Sequence, residues 1–185
     1  VPPDLVRRAR QQLDALVVRG YGSTEILTLS GGSADDPVHK AAETDGRPLV
    51  DAECRVRDED GRDVPYGQVG ELAVAAPECF LGYLDPKLNR DAFTDDGFFL
   101  TGDLASVDAD SFLTIHGRKK DIIIRGGENI SAKEIEDLLF EHPAIAEAAV
   151  VAMPDPRLGA KVFGPVVITE SGFFDFAEMT RHLTS

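Results

Sequence analysis

Tyr21-Gly22-Ser23-Thr24-Glu25 places an aromatic face, two hydroxyls, a flexible backbone and a carboxylate within five consecutive residues. A bound nucleotide needs those parts: a ring to stack on, donors for phosphate oxygens, and a hard oxygen ligand for Mg2+. The same five residues also read as a strand-end turn with a solvated glutamate. Farther along, Thr101-Gly102-Asp103 follows the aromatic pair Phe98-Phe99, and a carboxylate beside a glycine turn can accept both hydroxyls of a ribose. The competing reading is an Asx-turn in which Asp103 bonds its own backbone. Arg118 offers a planar donor fork for that sugar or for phosphate; otherwise it is a surface arginine. His39, His116, His142 and His182 are scattered among loops and helix ends, so neither a histidine pair nor a Ser-His-Asp set is read from them. His142, just before Pro143, reads as a helix-end residue.

A third stretch runs from Gly117-Arg118-Lys119-Lys120-Asp121 through Ile122-Ile123-Ile124 to Arg125-Gly126-Gly127-Glu128-Asn129-Ile130. Four ionisable residues in a row, between one strand-like run ending at His116 and another from Ile122, read either as a joint between two folded pieces or as a polar turn in one sheet.

The elements that must position these groups follow from periodicity. Leu5, Ala9, Leu13 and Leu16 recur at helical spacing behind Pro3 and Asp4. Val17 to Gly22 reads as a buried strand entering a tight turn, with Ser23-Thr24-Glu25 at its carboxyl end, and Ser30 to Asp45 as an acidic loop. From Gly46 the chain breaks into short runs: Ala52 to Arg57, the Asp58-Glu59-Asp60-Gly61 turn, Glu71 to Ala75, Phe98 to Leu100 and Phe112 to His116. Such spacing without intervening helices predicts a small antiparallel sheet or distorted barrel. Beyond it, Ser131 and Glu134 form a capping-box signature, and Ala132, Ile135, Leu138 and Leu139 make one apolar helix face ending near Pro143. Strands over Ala146 to Met153 and Val162 to Thr169 follow. A last helix has Asp175 and Glu178 at its cap and Phe176, Met179 and Leu183 on one face.

The 185 residues are 43% hydrophobic, enough for packed cores, and carry a formal charge of −14 that repels nucleic acid and anionic membranes as default partners. Cys54 and Cys79 lie 25 residues apart with no metal-ligand spacing around them. With no signal-like start and no apolar run near the ~20 residues that span a bilayer, a reduced, cytoplasmic setting is expected.

The motifs taken in order narrow the reading. Tyr21-Gly22-Ser23-Thr24-Glu25, Gly67-Gln68-Val69-Gly70-Glu71-Leu72 with Gly82-Tyr83, and Thr101-Gly102-Asp103 come first. Gly117-Arg118-Lys119-Lys120-Asp121 follows, with Gly126-Gly127-Glu128-Asn129-Ile130, Glu134-Ile135-Glu136, His142-Pro143 and Pro154-Asp155. Together they resemble the signature motifs of the adenylate-forming acyl-CoA synthetase superfamily over nearly the whole chain. The Tyr-Gly-Ser-Thr-Glu and Arg-Gly-Gly-Glu-Asn forms look most like acyl- or aryl-CoA ligases, with stand-alone aryl-adenylating enzymes close behind.

The resemblance implies an α/β and α+β architecture. Residues 1–117 would be the end of a large α/β AMP-binding domain with a small distorted antiparallel barrel, 118–121 a hinge, and 122–185 part of a small mobile α+β domain. It implies a carboxylic acid, Mg·ATP and coenzyme A as reactants, with the acid activated as an acyl-adenylate. By the same analogy Tyr21 stacks on adenine beside Gly22, Thr24 bonds the α-phosphate, Glu25 ligates Mg2+, and Asp103 and Arg118 hold the ribose. Lys120 is the pivot and Gly127 lines the pantetheine tunnel. The family's upstream Gly- and Ser/Thr-rich phosphate loop and its downstream catalytic lysine have no counterpart here, and Lys161 matches an earlier part of the pattern. The sequence therefore resembles a piece of such an enzyme, expected not to adenylate at a useful rate alone. The alternatives are a carrier-protein-loading adenylation domain and a non-catalytic nucleotide-binding module.

Overall fold

The computed structural model describes residues 1–169 and 175–183. The chain divides into two compact units, Pro3–His116 and Gly117–Ser185, each with its own core.

The first unit begins with α1 (Pro3–Leu13), where Asp4 pairs with Arg8 one turn on. The expected apolar face is not the buried one: Leu5, Leu13 and Leu16 are exposed, and Val6 is the residue taken inside. Asp14 takes a positive φ of 46°, which stops the helix and leaves Leu16 outside it. The expected buried strand over Val17 to Gly22 contracts to β1 (Gly20–Tyr21). Just before it, Arg19 is buried and ion-paired with Asp45 at 2.7 Å. Its guanidinium also donates to the Ala42 carbonyl at 3.2 Å. The loop expected over Ser30 to Asp45 holds β2 (Ser30–Gly31) and α2 (Val38–Glu43), which packs against α1. With β3 (Arg47–Pro48), these short strands form an antiparallel sheet in the order β1-β2-β3.

Next come β4 (Glu53–Arg57), β5 (Gly70–Ala75), α3 (Pro86–Ala92), β6 (Phe99–Val107) and β7 (Leu113–Arg118). The four strands make a sheet in chain order, antiparallel across β4-β5 and β5-β6. It stays open, with β4 and β7 at its edges, where the sequence suggested a distorted barrel. Closure requires strand number, tilt and stagger to match, and four short strands do not supply that. Ile26, Leu29, Leu72, Val74, Phe99, Ala105 and Leu113 form the core beneath both sheets. On one edge Arg57 forks onto Asp96 (2.6 and 3.2 Å) and reaches Asp63, while Arg55 lies over the Phe98 ring.

In the second unit a 3-10 turn, Lys119–Asp121, leads into β8 (Ile122–Arg125) and β9 (Glu128–Ser131), an antiparallel hairpin. The Ser131 hydroxyl accepts from the Glu134 N–H at 3.2 Å and caps α4 (Ala132–Phe140). Ala132 and Leu139 are buried as expected of that face, but Leu138 is exposed. The two expected strands that follow are each split. They become β10 (Ile145–Ala148), β11 (Val151–Asp155), β12 (Gly159–Phe163) and β13 (Val166–Ile168), with β10 paired to β13 and β11 to β12. The breaks face each other. Pro165 has no N–H to continue a ladder, its carbonyl takes the Ala149 N–H, and the Glu136 carboxylate takes the Val150 N–H at 2.8 Å. Helix α5 (Phe176–Leu183) closes the unit, and Met179 packs on a core of Ile123, Ala132, Leu139, Ile145 and Val150. The parts expected of the Phe176, Glu178 and Leu183 side chains lie outside what the structure describes. Among the described residues, no helix is long and apolar enough to cross a membrane.

Candidate functional site

Tyr21 is held by β1, where it pairs with Ser30 and its carbonyl accepts the Leu29 N–H. Its ring is half-buried and its hydroxyl donates to the Asp103 carboxylate, 82 residues away. Asp103 sits in a bulge of β6: Glu71 faces Leu104 and Ala73 faces Leu100, so residues 101–103 are looped out. Gly102 carries φ +72° there, a backbone that favours glycine. The Thr101 hydroxyl pins the bulge by donating to the Leu72 carbonyl (3.0 Å) and accepting from the Asp103 N–H (3.1 Å). Thus the Thr101 hydroxyl closes the local turn, and the Asp103 side chain, 5% exposed, is aimed at Tyr21. The run expected over Phe98 to Leu100 stops short of this triplet, whereas the observed strand continues through it to Val107.

Gly22 is required by close approach. A Cβ there would lie 2.2 Å from the Leu27 carbonyl oxygen, because the chain doubles back as the Ser23 N–H donates to the Ile26 carbonyl at 2.8 Å. The Ser23 hydroxyl stitches the turn by accepting from the Glu25 and Ile26 N–H groups. Thr24 is exposed at its tip. Glu25 is far from a loosely solvated residue: one carboxylate oxygen accepts from Ser23 (3.1 Å) and the other from the Tyr83 hydroxyl (2.9 Å). Its backbone carbonyl accepts the Phe80 N–H. Burial pushes the neighbouring Cys79 thiol upward, and the Glu25 charge adds to that shift.

Tyr83 has no role in the sequence reading beyond membership of a motif, and Ser23 only that of one of two hydroxyls for phosphate oxygens. The 58 residues between Tyr83 and Glu25 carry no local signal that they meet. Tyr83 packs edge-on against Phe80 (4.8 Å), which also meets Phe93 and Phe99. Asn89 of α3 brackets the Tyr83 peptide, accepting its N–H (2.6 Å) and donating to its carbonyl (3.1 Å).

The structure therefore brings Tyr21, Gly22, Thr24, Glu25 and Asp103 together in the first unit, and Arg118, Lys120 and Gly127 belong to the second. Arg118 ends β7 and is exposed, as is Lys120 in the 3-10 turn. Gly126 and Gly127 form the two-residue turn between β8 and β9, with φ of +62° and +92°. A tight hairpin of matching twist demands positive φ at both. A Cβ on Gly127 would meet nothing within 4 Å, so in this chain turn geometry by itself calls for the glycine. Two histidines meet after all: the His142 and His182 rings are edge-on at 5.1 Å, and Ser106 bonds His116 at 2.9 Å.

Around the single Glu25 carboxylate stand the hydroxyls of Ser23 and Tyr83, with exposed Thr24 next to it in the turn. Mg2+ usually keeps several waters and takes one or two carboxylates plus substrate phosphates. Among the described residues no group of three or more His, Cys, Asp or Glu is placed to hold a metal. A single carboxylate thus fits an ion that arrives on a phosphate.

Residues 1–84 match the AMP-binding enzyme family and residues 134–185 the AMP-binding enzyme C-terminal domain. The medium-chain fatty-acid–CoA ligase of Escherichia coli is 42% identical over 167 residues, which are 90% of this chain and 30% of that protein. The pyochelin synthase PchD of Pseudomonas aeruginosa is 49% identical over 135 residues, 72% of this chain and 25% of its own. The crystal structure of ATP-bound MatB from Rhodopseudomonas palustris superimposes with a TM-score of 0.92 at 32% identity, over 99% of this chain and 36% of that one. The chain spans about a third of the length of the relatives it matches.

Proposed function

This chain belongs to the adenylate-forming AMP-binding enzymes, and on that premise we propose that its protein is an ATP-dependent acid–thiol ligase acting on a fatty or aryl carboxylic acid. The observation that carries the reading is the Tyr21–Asp103 pair: an aromatic ring and a buried carboxylate, joined by a hydrogen bond and set beside the Glu25 turn. A ring for adenine, a carboxylate for the ribose hydroxyls and hydroxyls for phosphate then follow one another along a bound ATP.

In the first step a carboxylate oxygen of the acid attacks the α-phosphorus, and the bond to the β-phosphate breaks to release pyrophosphate. In the second the thiol of coenzyme A attacks the acyl carbon, loses its proton and displaces AMP. Tyr21 and Gly22 bind the adenine end, Asp103 and Arg118 the ribose, and Thr24 the α-phosphate. Glu25 would hold Mg2+, which when bound neutralises charge on the phosphates. Most of what these residues contribute is positioning and electrostatic stabilisation. Residues 1–117 form the end of the large domain, Lys120 is the pivot of a 118–121 hinge, and 122–185 form part of the mobile domain, where Gly127 borders the thiol path. The setting proposed is the cytoplasm.

The ribose assignment is tested by AMP binding to the chain in calorimetry. Asp103→Ala removes a charged acceptor and should weaken AMP by roughly ten- to a hundred-fold; unchanged affinity refutes the assignment. The alternative acceptor is a protein-borne phosphopantetheine thiol. Supplying the full-length protein with a carboxylic-acid panel and ATP, then comparing free coenzyme A with a carrier protein, decides between them.

A further inference from the structure

Glu25 is held by an arrangement larger than its own turn. Its two carboxylate oxygens are taken by different hydroxyls, Ser23 from within the turn and Tyr83 from the segment before α3. Tyr83 is fixed in three ways. Its ring meets Phe80 edge-on, Asn89 brackets its peptide on both sides, and Asp85 caps the helix that presents Asn89 by accepting the Lys87 N–H at 3.0 Å. Gly82 allows this geometry, with φ of +134° and the Asn89 amide 3.0 Å from where a Cβ would sit. The bracket is built for one outcome, which is the direction of the Tyr83 hydroxyl.

We infer that Tyr83, aligned by Asn89, is a positioning residue for the Glu25 carboxylate, setting which lone pairs it presents to a phosphate-borne divalent cation. The inference rests on the reading of Glu25 as that ion's ligand. The physical reason is general: a ligating carboxylate that itself accepts hydrogen bonds has its orientation and basicity set by those donors, and removing such an outer partner lowers metal affinity about 10- to 100-fold. With the Tyr83 hydroxyl gone, one oxygen of Glu25 loses the donor that reaches it from the segment before α3. The Ser23 hydroxyl does not replace it, because its one proton is already donated to the other oxygen of Glu25.

The test uses the 185-residue chain with ATP and Mn2+ as probes, measuring the affinity for Mn·ATP divided by that for ATP in EDTA. That ratio isolates the ion's contribution, and the hyperfine spectrum of bound Mn2+ reports its ligation. Tyr83→Phe keeps the ring against Phe80 and should lower the ratio about ten-fold or more, with affinity for metal-free AMP unchanged. Asn89→Ala, which releases the bracket and leaves the hydroxyl, should move the ratio the same way by less, and raising Mn2+ should restore binding by both variants. A ratio in both variants within two-fold of the native chain overturns the inference while Glu25→Gln still abolishes the ratio. If Glu25→Gln also leaves it unchanged, the fault lies in the assignment of Glu25, and the inference falls with it.

Discussion

Removing the Asp45 carboxylate should unfold the first unit more readily than any surface change. Asp45 is buried, and one oxygen meets the Arg19 guanidinium at 2.7 and 3.0 Å while the other accepts the Ile115 N–H at 2.9 Å. Asp45→Ala leaves a guanidinium whose side chain is 6% exposed without its counter-ion. It also leaves a β7 N–H without this acceptor. Breaking a buried pair from one side costs about 3–5 kcal/mol. That is a large share of the 5–15 kcal/mol by which domains are ordinarily stable. With a urea dependence of about 2 kcal/mol/M, the midpoint should fall by roughly 2 M. The signal is conveniently local, because the chain has no tryptophan and its three tyrosines, Tyr21, Tyr66 and Tyr83, all lie in the first unit. The double variant Arg19→Met/Asp45→Leu is the decisive control: replacing both charges by apolar side chains of similar volume should recover most of the loss. If the double variant is as unstable as the two single losses added together, the pair is not energetically coupled and the reasoning fails.

Gly22→Ala should destabilise the first unit by about 1–3 kcal/mol, as overpacking does, because its Cβ would press on the Leu27 carbonyl; urea midpoints followed by tyrosine fluorescence measure this, and a change under 0.5 kcal/mol (about the scatter of surface substitutions) counts against it. The hydrogen bond from Arg57, joined by that from Thr94, holds the Asp96 carboxyl well below the usual carboxylate range. A depressed folded pKa contributes stability that is present above the unfolded value of about 4 and is lost as pH falls toward the folded one. Urea midpoints below pH 4 should therefore decline less steeply in Asp96→Asn than in the native chain, and parallel acid limbs would contradict the assignment. Burial, helped by the Glu53 charge, pushes the Cys54 thiol up to about 12, so at pH 8 it is protonated and slow to alkylate. Mass spectrometry after iodoacetamide should find Cys54 less than a tenth as reactive as glutathione, and labelling at the rate of glutathione would refute that.

The order of the motifs was enough to recognise the family, because each motif is a contiguous run whose chemistry is local. Tyr21 to Glu25 and Thr101 to Asp103 could be picked out as turns bearing a ring, hydroxyls and carboxylates before any contact was known. What spacing did not reveal is what each side chain meets. Periodicity assigned Leu5, Leu13 and Leu16 to a buried face, yet Asp14 turns left-handed and Val6 goes inside. A six-residue helix such as α2 is too short to establish a period, so Val38–Glu43 read as loop. The strands over Ala146 to Met153 and Val162 to Thr169 read as continuous because apolar residues run through both. The break follows from the opposition of Pro165 to Ala149 and of Glu136 to Val150, pairings set only once the hairpin register exists.

Arg19 shows why the misses concentrate on buried polar groups. Val17-Val18-Arg19-Gly20-Tyr21 reads as buried, which an arginine allows only if a carboxylate awaits it, and nothing near it in sequence supplies one. Asp45 arrives from beyond a helix that was itself invisible, and Ile115 from farther still. The same logic applies to Glu25. As a neighbour of Thr24 it reads as solvated; as the acceptor of Tyr83 it is oriented from a segment 58 residues on. Both Arg19 and Glu25 flank Tyr21, and both are held from a distance. The short strand β1, only two residues long, therefore has on either side of it a charged group held from a distance. Substitutions at Asp45 and Tyr83 should for that reason disturb the Tyr21 motif from opposite ends: the first through folding stability, the second through Glu25 while the fold stays intact.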